Sequence, residues 1–421
     1  MPLTYNTVLD GPPSPPRSGG EGRGEVVLIC RIPGLNAAYG QKSPLRSLRD
    51  TLSPLGRGEG TNPFFVKGII PIQFVQTIRR LAVVVAIGLA GLPGRAAGPA
   101  FSHSTNAVAQ VLTVENPNAT FDFQPSDASV QLMLDRGLTN FTGRATVTAA
   151  WRSLVSTQDV VGIKVFSAAG MLSGTRPAVV AAVIHGLLEA GVPPQHLIIW
   201  DKHADDLRAA GFFKLGAQLG VRVAGCTESG YDPDTFYQPD SAIIGNLVWG
   251  DLEFGRKGDD IGKKSFVARI VSREITKIIS VAPLLNQESA GVCGHLYGLA
   301  LGSVDNTLRF VDDPGRLAVA VPEICALPVL SDRVVLNITD ALIGQYEGGS
   351  RGLLHYSSVL NQLWFSRDPV ALDVLAIKEL DRERRRLNAP EFKPNLELYA
   401  NASLLQLGVN DPAKIHVEKL R

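Results

Sequence analysis

The chain has 421 residues, and its 41 Lys plus Arg nearly balance its 40 Asp plus Glu. This balance gives no sign of a nucleic-acid or membrane-surface partner, because both attract strongly basic surfaces. The four cysteines show no Cys-x-x-Cys spacing, which argues against a zinc ribbon and against an iron–sulfur cluster held by the chain's own cysteines. Cys226, Cys293 and Cys325 are expected to be small buried side chains, although one disulfide among them remains open.

Residues 1–74 contain two segments, 13–25 and 52–62, that are similar in sequence and rich in Gly, Pro and Arg. Such composition offers too little apolar surface to offset the entropy of ordering. Two interpretations remain: a flexible arm that binds an acidic partner, or sequence translated from upstream of the true start. We favour the second and expect residues 1–74 to be spurious or disordered.

Residues 75–97 have the pattern of a secretory signal peptide. Arg79 and Arg80 precede the apolar run 81–92, and small residues follow it. The run is shorter than the ~20 residues that span a bilayer. We therefore predict an exported, periplasmic protein with no membrane span after cleavage, translated from a non-Met codon such as Val66 or Val75. The arginine pair fits the twin-arginine consensus poorly, so the general secretory route is at least as compatible.

The remaining roughly 320 residues suffice for one large α/β domain. We assign 98–159 to an N-terminal extension and 160–421 to a single domain. The first unit is a strand over 160–166, a helix that starts at Pro177 and stops at Gly191, and a strand over 196–201. Such a βαβ unit builds a parallel sheet with a right-handed connection.

Further elements follow in chain order. The patterns predict a helix over 204–210, a strand over 221–224, a surface loop or lid over 228–240, a strand or helix over 266–272, a strand over 276–282 stopped by Pro283, helices over 290–302 and 314–327, and strands over 333–338 and 362–365. Asp368 as N-cap and Pro369 as first residue then start a helix to about residue 387, followed by a tail of loop and short helix. The whole predicts an α/β fold with three layers, a mostly parallel sheet with helices on both faces.

Ligands of open parallel sheets bind beyond the carboxyl ends of the strands. The polar residues predicted at that edge are Lys164, Asp201, His203, Asn286, Gln287, Glu288, Asp340, Glu347 and Asp368. Lys164 is unusual, because a buried ammonium needs an anion nearby. It either clamps an anionic ligand or forms a structural ion pair with Asp340 or Asp201.

Several other residues have two interpretations each. Asp201 and His203 could be a metal pair, an acid/base pair or ordinary turn residues. Gly348 and Gly349 could present N–H groups to an anion or form a plain mobile loop. His295, close to Cys293, is interpreted as a satisfied core histidine. Asp368 is interpreted first as a helix cap, and Asp373 on the same helix as a supporting group. No Walker or Rossmann glycine pattern is present, so nucleotide binding is unsupported.

Six segments together resemble the bacterial and archaeal domain-of-unknown-function 362 family. They are Val161-Gly-Ile-Lys164, residues 175–191, Ile198-Ile-Trp-Asp201, residues 337–344 with Asn337-Ile-Thr-Asp340, Glu347-Gly-Gly349, and residues 366–373 with Ser366-Arg-Asp368-Pro369. The resemblance covers about residues 160–386 and implies an often exported protein, in some relatives joined to an iron–sulfur module. This chain lacks that module, and Asn286-Gln-Glu288 stands where relatives often carry a lysine and a histidine.

Two hypotheses follow. In the first, the protein is an exported enzyme in which Lys164, Asp201, Asp340 and Glu347 face one another as catalytic residues. Gly348 and Gly349 then bind an anion or cofactor, and a divalent metal is compatible although its ligands are unknown. In the second, a non-catalytic periplasmic binding or assembly protein uses the same cleft. A carboxylate pair within about 5 Å favours the enzyme, whereas separate salt bridges beside an open apolar groove favour the binding protein.

Overall fold

The computed structural model describes residues 108–256 and 258–421. The predictions for residues 1–74 and for the signal peptide over 75–97 lie outside them. A nine-stranded sheet forms the centre of the described fold. Its strands are β1 Ala109–Glu115, β2 Val161–Val165, β3 Leu197–Asp201, β4 Arg222–Gly225, β5 Lys277–Gln287, β6 Gly291–Val292, β7 Val334–Gln345, β8 Ser357–Ser366 and β9 Ile415–Leu420.

The strands lie side by side in the order β9, β1, β8, β7, β5, β2, β3, β4, with the short β6 paired to β5. Along this order β8 is antiparallel to both its neighbours, and the other neighbouring pairs are parallel. The mostly parallel sheet predicted from the sequence is thereby confirmed. The chain builds outward from β2 through β3 to β4, then returns to the other side of β2 with β5. The sheet therefore has a topological switch point between β2 and β5.

Helices cover both faces of the sheet and bury a separate apolar core on each. The first face carries α1 Asp127–Thr142, α2 Val147–Arg152, α3 Pro177–Glu189, α4 Ala204–Ala209 and α5 Phe212–Leu219. The second face carries α6 His295–Ser303, α7 Pro314–Cys325, α8 Pro369–Arg386 and α9 Glu397–Leu404. The predicted three-layer α/β fold is confirmed.

Local signals placed the best-predicted elements correctly. Helix α3 begins at Pro177, where proline at the first helical position needs no N–H partner. Helix α8 begins at Pro369 and ends at Arg386, and the Asp368 side chain accepts a hydrogen bond from the N–H of Ala371. Strands β2 and β3 are fully buried, as expected of parallel strands covered on both faces.

Two local predictions are wrong. Residues 228–240 are not a loop: a short helix, Cys226–Ser229, leads into strand Tyr231–Tyr237, which pairs with Ser265–Ala268. Pro283 does not stop its strand, because β5 runs on to Gln287. Proline has no backbone N–H to donate to a neighbouring strand. Strand β2 pairs with β5 only up to Val281, and the pairing of β5 with β7 shifts its register after Pro283. The N–H that Pro283 lacks would therefore fall at an irregular position of the sheet.

The structure also adds elements that the sequence did not predict. Helix α5 and strand β9 were missed, and residues 109–152 contribute β1, α1 and α2 to the same sheet and helix layer as the rest. No helix among the described residues is long and apolar enough to cross a membrane. Cys226, Cys293 and Cys325 are buried free thiols, which confirms the expectation of small buried side chains.

Candidate functional site

A cleft of about 850 Å³ opens at the carboxyl edge of the sheet, beside the switch point between β2 and β5. The segments that follow β2, β3, β5 and β7 meet there, together with one side of α6. Its polar and charged lining residues are Asp201, Lys202, His203, Asp206, Gln287, Glu288, Ser289, Tyr297, Thr307, Asp312, Ser350 and Arg351. Gly348 and Gly349 line it as well. A cleft of this size at a switch point is a common ligand site in open α/β sheets.

Lys164 and Asp201 form a buried ion pair between neighbouring strands. The Lys164 Nζ lies 2.8 Å from the Asp201 Oδ1, and the two side chains are 3% and 6% exposed. The other oxygen of Asp201 accepts hydrogen bonds from the backbone N–H and the hydroxyl of Ser167, both at 2.7 Å. Asp201 reaches the cleft lining and Lys164 lies behind it. Of the two interpretations of Lys164, the structure places it in an ion pair with Asp201.

Asp340 does not face this pair. Side chains alternate between the two faces of a strand, and the register of β2, β5 and β7 places Lys164 and Asp340 on opposite faces of the sheet. The Asp340 carboxylate instead accepts a hydrogen bond from the backbone N–H of Arg176 at 2.9 Å and pairs with its guanidinium at 3.1 Å. The expectation that Asp340 faces Lys164 and Asp201 is wrong.

Glu347 is likewise engaged elsewhere. Its Oε2 lies 3.0 Å from the Arg384 Nη2 near the end of α8, and its side chain is one-third exposed. Glu347 and Asp340 are both absent from the residues lining this cleft. The expectation that Glu347 faces the Lys164–Asp201 pair is therefore also wrong. The four residues predicted to act together fall into three separate ion pairs.

The Gly348–Gly349 turn lies at the cleft, as predicted. Both glycines have positive φ, 93° and 56°, a conformation that side chains disfavour. Gln345 holds the turn, because its side-chain amide donates to the carbonyls of Glu347, Gly349 and Arg351. The Gly349 N–H donates to the Asn286 Oδ1 at 3.0 Å. The turn is thus anchored from β7 and β5, and one of its N–H groups is already satisfied by protein.

His203 stands at the start of α4 on the cleft wall. Its Nδ1 lies 3.2 Å from the Thr227 hydroxyl, which in turn lies 3.1 Å from the Tyr231 hydroxyl. Tyr231 is buried in the core of the second face. One nitrogen of an otherwise exposed imidazole is therefore held from the protein interior.

Two further charged residues of the cleft, Lys202 and Asp206, have shifted pKa values. Burial lowers the pKa of Lys202, although the carboxylates of Asp251 and Asp305 oppose that change. The Lys202 ammonium donates to the Val304 carbonyl. Burial raises the pKa of Asp206, and His203 opposes that rise. Neither residue was singled out from the sequence, because a charged residue just after a strand is indistinguishable there from a solvated turn residue.

His295 is a satisfied core histidine, as predicted. Its two ring nitrogens lie 2.8 Å from the Ser280 hydroxyl and 3.1 Å from the Thr339 hydroxyl, and burial lowers its pKa to about 3. Asp373 supports the same helix, because its carboxylate accepts the backbone N–H groups of His295 and Leu296. Burial raises the pKa of Asp373 to about 7.

Asp368 lies away from the cleft. It follows β8, which runs opposite to its neighbours, so its strand ends at the other edge of the sheet. Its placement at the carboxyl edge of the parallel strands is therefore wrong, whereas its role as a cap is confirmed. Within residues 108–256 and 258–421 no group of three or more His, Cys, Asp or Glu side chains is arranged to hold a metal ion.

Comparisons with known proteins identify no function for this chain. No family model matches the chain, and no curated protein matches it. Among solved structures the chain is similar to a protein from Thermotoga maritima, with 11% identity and a TM-score of 0.35. That match covers 65% of this chain and 60% of the other. A likeness of this size indicates neither a shared activity nor a shared ligand.

Proposed function

We propose that this protein binds a small polar molecule in the cleft at the carboxyl edge of its sheet. The observation that carries the proposal is the position of the cleft, where four strand ends and an anchored glycine turn converge beside the switch point. Its volume of about 850 Å³ falls in the range of small-molecule sites. Loops at such an edge converge on one point because the parallel strands all end there.

The separate ion pairs favour binding over the four-residue catalytic hypothesis. Lys164, Asp340 and Glu347 each have a partner of opposite charge in the protein. A charge neutralised in this way gives a ligand little electrostatic attraction. The charged groups left to meet a ligand are therefore the lining residues Lys202, Asp206, Glu288, Asp312 and Arg351.

The lining residues indicate the chemistry of the ligand. Lys202 and Arg351 suit an anionic group, whereas Asp206, Glu288 and Asp312 accept hydrogen bonds from hydroxyl or amino groups. We therefore propose a compact ligand that carries both kinds of group, such as an amino acid, a hydroxy acid or a sugar acid.

A thermal-shift screen tests this proposal. Amino acids, hydroxy acids, sugar acids and sugar phosphates are added to the purified protein, and a ligand at 100 times its Kd stabilises the folded state by about 2.7 kcal/mol. Leu301→Trp narrows the cleft, since Leu301 is a half-buried lining residue, and should weaken the shift. Leu132→Trp, on the exposed side of α1, is the matched control and should keep it. Equal shifts in both variants would place the ligand elsewhere, and no shift with any compound class would contradict the proposal.

We also propose export to the periplasm and membership of the domain-of-unknown-function 362 type. The support is the Arg79–Arg80 pair with its apolar run, and the strand-end motifs described above. Fractionation of cells that express the full chain, with mass spectrometry of the mature N-terminus, tests the export proposal. A protein recovered from the cytoplasm with residues 75–97 still attached would contradict the export proposal.

A further inference from the structure

Four residues line the cleft in the order of the strands that precede them. Strands β7, β5, β2 and β3 are neighbours in the sheet and run parallel, so the segments that follow them reach the same edge. Arg351 follows β7, Glu288 follows β5, Phe166 follows β2 and Asp206 follows β3. Across this edge the cleft therefore presents a cation, a carboxylate, an aromatic ring and a second carboxylate, in that order.

The charged members of this row have no partner of opposite charge in the protein. Within residues 108–256 and 258–421, Arg351, Glu288 and Asp206 form no ion pair. The Arg351 Nε donates to the Gly348 carbonyl at 3.1 Å, which leaves the two terminal nitrogens of the guanidinium for a ligand. Asp312 also lines the cleft and, in the same part of the chain, forms no ion pair either. A ligand can meet these four charges without breaking an ion pair of the protein.

Lys202, the other cation of the lining, has its charge compensated from behind. Its ammonium donates to the Val304 carbonyl, and the carboxylates of Asp251 and Asp305 attract it. Neither carboxylate lines the cleft. Among the lining residues, three uncompensated carboxylates therefore stand against one uncompensated cation. The ligand that complements this arrangement has one negative group and more than one positive group.

The middle of the row, at the end of β2, is apolar. Phe166 and Ala168 belong to this segment and line the cleft. A Cβ atom at Gly298 would lie 3.8 Å from the Phe166 Cδ2, so α6 packs against this ring, and Leu301 of the same helix is a lining residue too. Such a surface suits methylene groups and offers hydroxyl groups no hydrogen-bond partner. Strands β5 and β3 are two strand spacings apart, about 10 Å, which is a gap for several methylene groups.

We propose that the ligand of the cleft is an α-amino acid whose aliphatic side chain ends in a second amino group, as in lysine. Its carboxylate binds Arg351, its α-ammonium binds Glu288, its methylene groups lie on Phe166, and its terminal ammonium binds Asp206. Asp312 adds to the negative potential that attracts the two ammonium groups. The inference rests on the proposed binding function and selects one ligand class, because hydroxy acids and sugar acids have no positive group for these carboxylates.

Four compounds test the assignment with the full chain. Lysine carries all three charged groups, whereas norleucine lacks the terminal ammonium, ε-aminocaproate lacks the α-ammonium and cadaverine lacks the carboxylate. Each missing ion pair should weaken binding about fivefold, the equivalent of about 1 kcal/mol, as measured by isothermal titration calorimetry. Equal affinities for lysine and norleucine would overturn the proposal and leave the binding function in place.

Two variants assign the ends of the ligand to single residues. Asp206→Asn should weaken lysine binding about fivefold and leave norleucine binding unchanged, because norleucine has no group to meet Asp206. Arg351→Gln should weaken the binding of lysine and norleucine alike and leave cadaverine unchanged. Asp205→Asn is the matched control, since Asp205 neighbours Asp206 on α4 but has a side chain 97% exposed and does not line the cleft. An Asp206→Asn variant that binds lysine as tightly as the control does would overturn the placement of the terminal ammonium.

The thermal-shift screen separates this inference from the binding function on which it rests. If a hydroxy acid or a sugar acid shifts the melting temperature and lysine does not, the diamino acid assignment fails and the binding function stands. If no compound of any class shifts it, the binding function fails and the inference fails with it.

Discussion

The buried pair of Lys164 and Asp201 joins two strands through side chains that are almost fully enclosed. Removal of one partner leaves the other charge buried without compensation. Lys164→Met should therefore lower the free energy of unfolding by on the order of 3–5 kcal/mol, and adding Asp201→Asn should recover part of that loss.

Urea denaturation of both single variants and the double variant measures this coupling. The exposed pair of Arg208 and Asp205 is the control, and Asp205→Asn should have no measurable effect, because exposed pairs contribute little. If the double variant loses as much free energy of unfolding as the two single variants together, the Lys164 and Asp201 side chains do not depend on each other.

Asp373 gives a prediction about pH. Burial raises its folded pKa to about 7 from the ordinary 3.8, so the folded state holds a proton that the unfolded state has lost between these values. The stability contributed by this group is full below pH 3.8 and is lost as the pH rises through 7, a change on the order of a few kcal/mol. Asp373→Asn should flatten the fall measured by denaturation at pH 4, 5.5 and 7. If the stability of the wild type and of Asp373→Asn falls equally with pH, Asp373 is not the group responsible for the loss.

At the scale of single residues, the sequence identified which side chains were unusual but not their partners. Lys164 stood out because a charge in an apolar strand must be compensated. The sequence could not tell Asp201 from Asp340 as that partner, because the choice depends on strand order and on the face to which each side chain points. The contacts of His203 with the Thr227 and Tyr231 hydroxyls could not be predicted at all, since Thr227 is 24 residues away and no element was predicted at that position.

At the scale of elements, two helices offer a matched comparison of caps. Asp368 and Asp313 both cap a helix that begins with proline. The Asp313 carboxylate accepts the N–H groups of Gly315 and Arg316 in its own helix start and lies 3.6 Å from the Arg316 guanidinium, an exposed pair that contributes little. The Asp368 carboxylate also accepts the N–H of Val409 at 2.8 Å, ahead of β9. Asp313→Ala should cost about 1 kcal/mol, and Asp368→Ala about 2–3 kcal/mol because a second buried donor loses its partner.

Thermal and urea denaturation of these two variants measure the difference. Equal losses would show that the bond to Val409 adds nothing to the cap.

Elements with local signals were predicted well, and elements that depend on distant partners were not. The Asp-Pro start of α8 and the apolar β2 and β3 needed no information from elsewhere in the chain. Strand Tyr231–Tyr237 was missed because it is acidic, contains Pro233 and pairs with a segment nearly thirty residues on. The continuation of β5 past Pro283 was missed because it depends on where β2 ends.

At the scale of the molecule, the two ends of the described chain meet in the sheet. Strand β1 lies between β8 and β9, and α1 packs on the first face. A fragment of residues 160–421 would leave β8 and β9 without the strand that joins them and would expose part of one core. We expect it to fail to fold cooperatively, whereas residues 108–421 should fold. Circular dichroism with thermal melting and size-exclusion chromatography check this, and a cooperative melt of the shorter fragment would contradict it.

The reversed direction of β8 has a practical consequence for work with this protein. Because the strand turns back, Asp368 and the segment that reaches Val409 lie at the edge remote from the cleft. A dye, a tether or a sensor surface attached in the exposed loop ahead of β2, at Gln158 for example, would sit at that remote edge as well. The molecule can therefore be immobilised or labelled from one end while the opposite end stays open to a ligand.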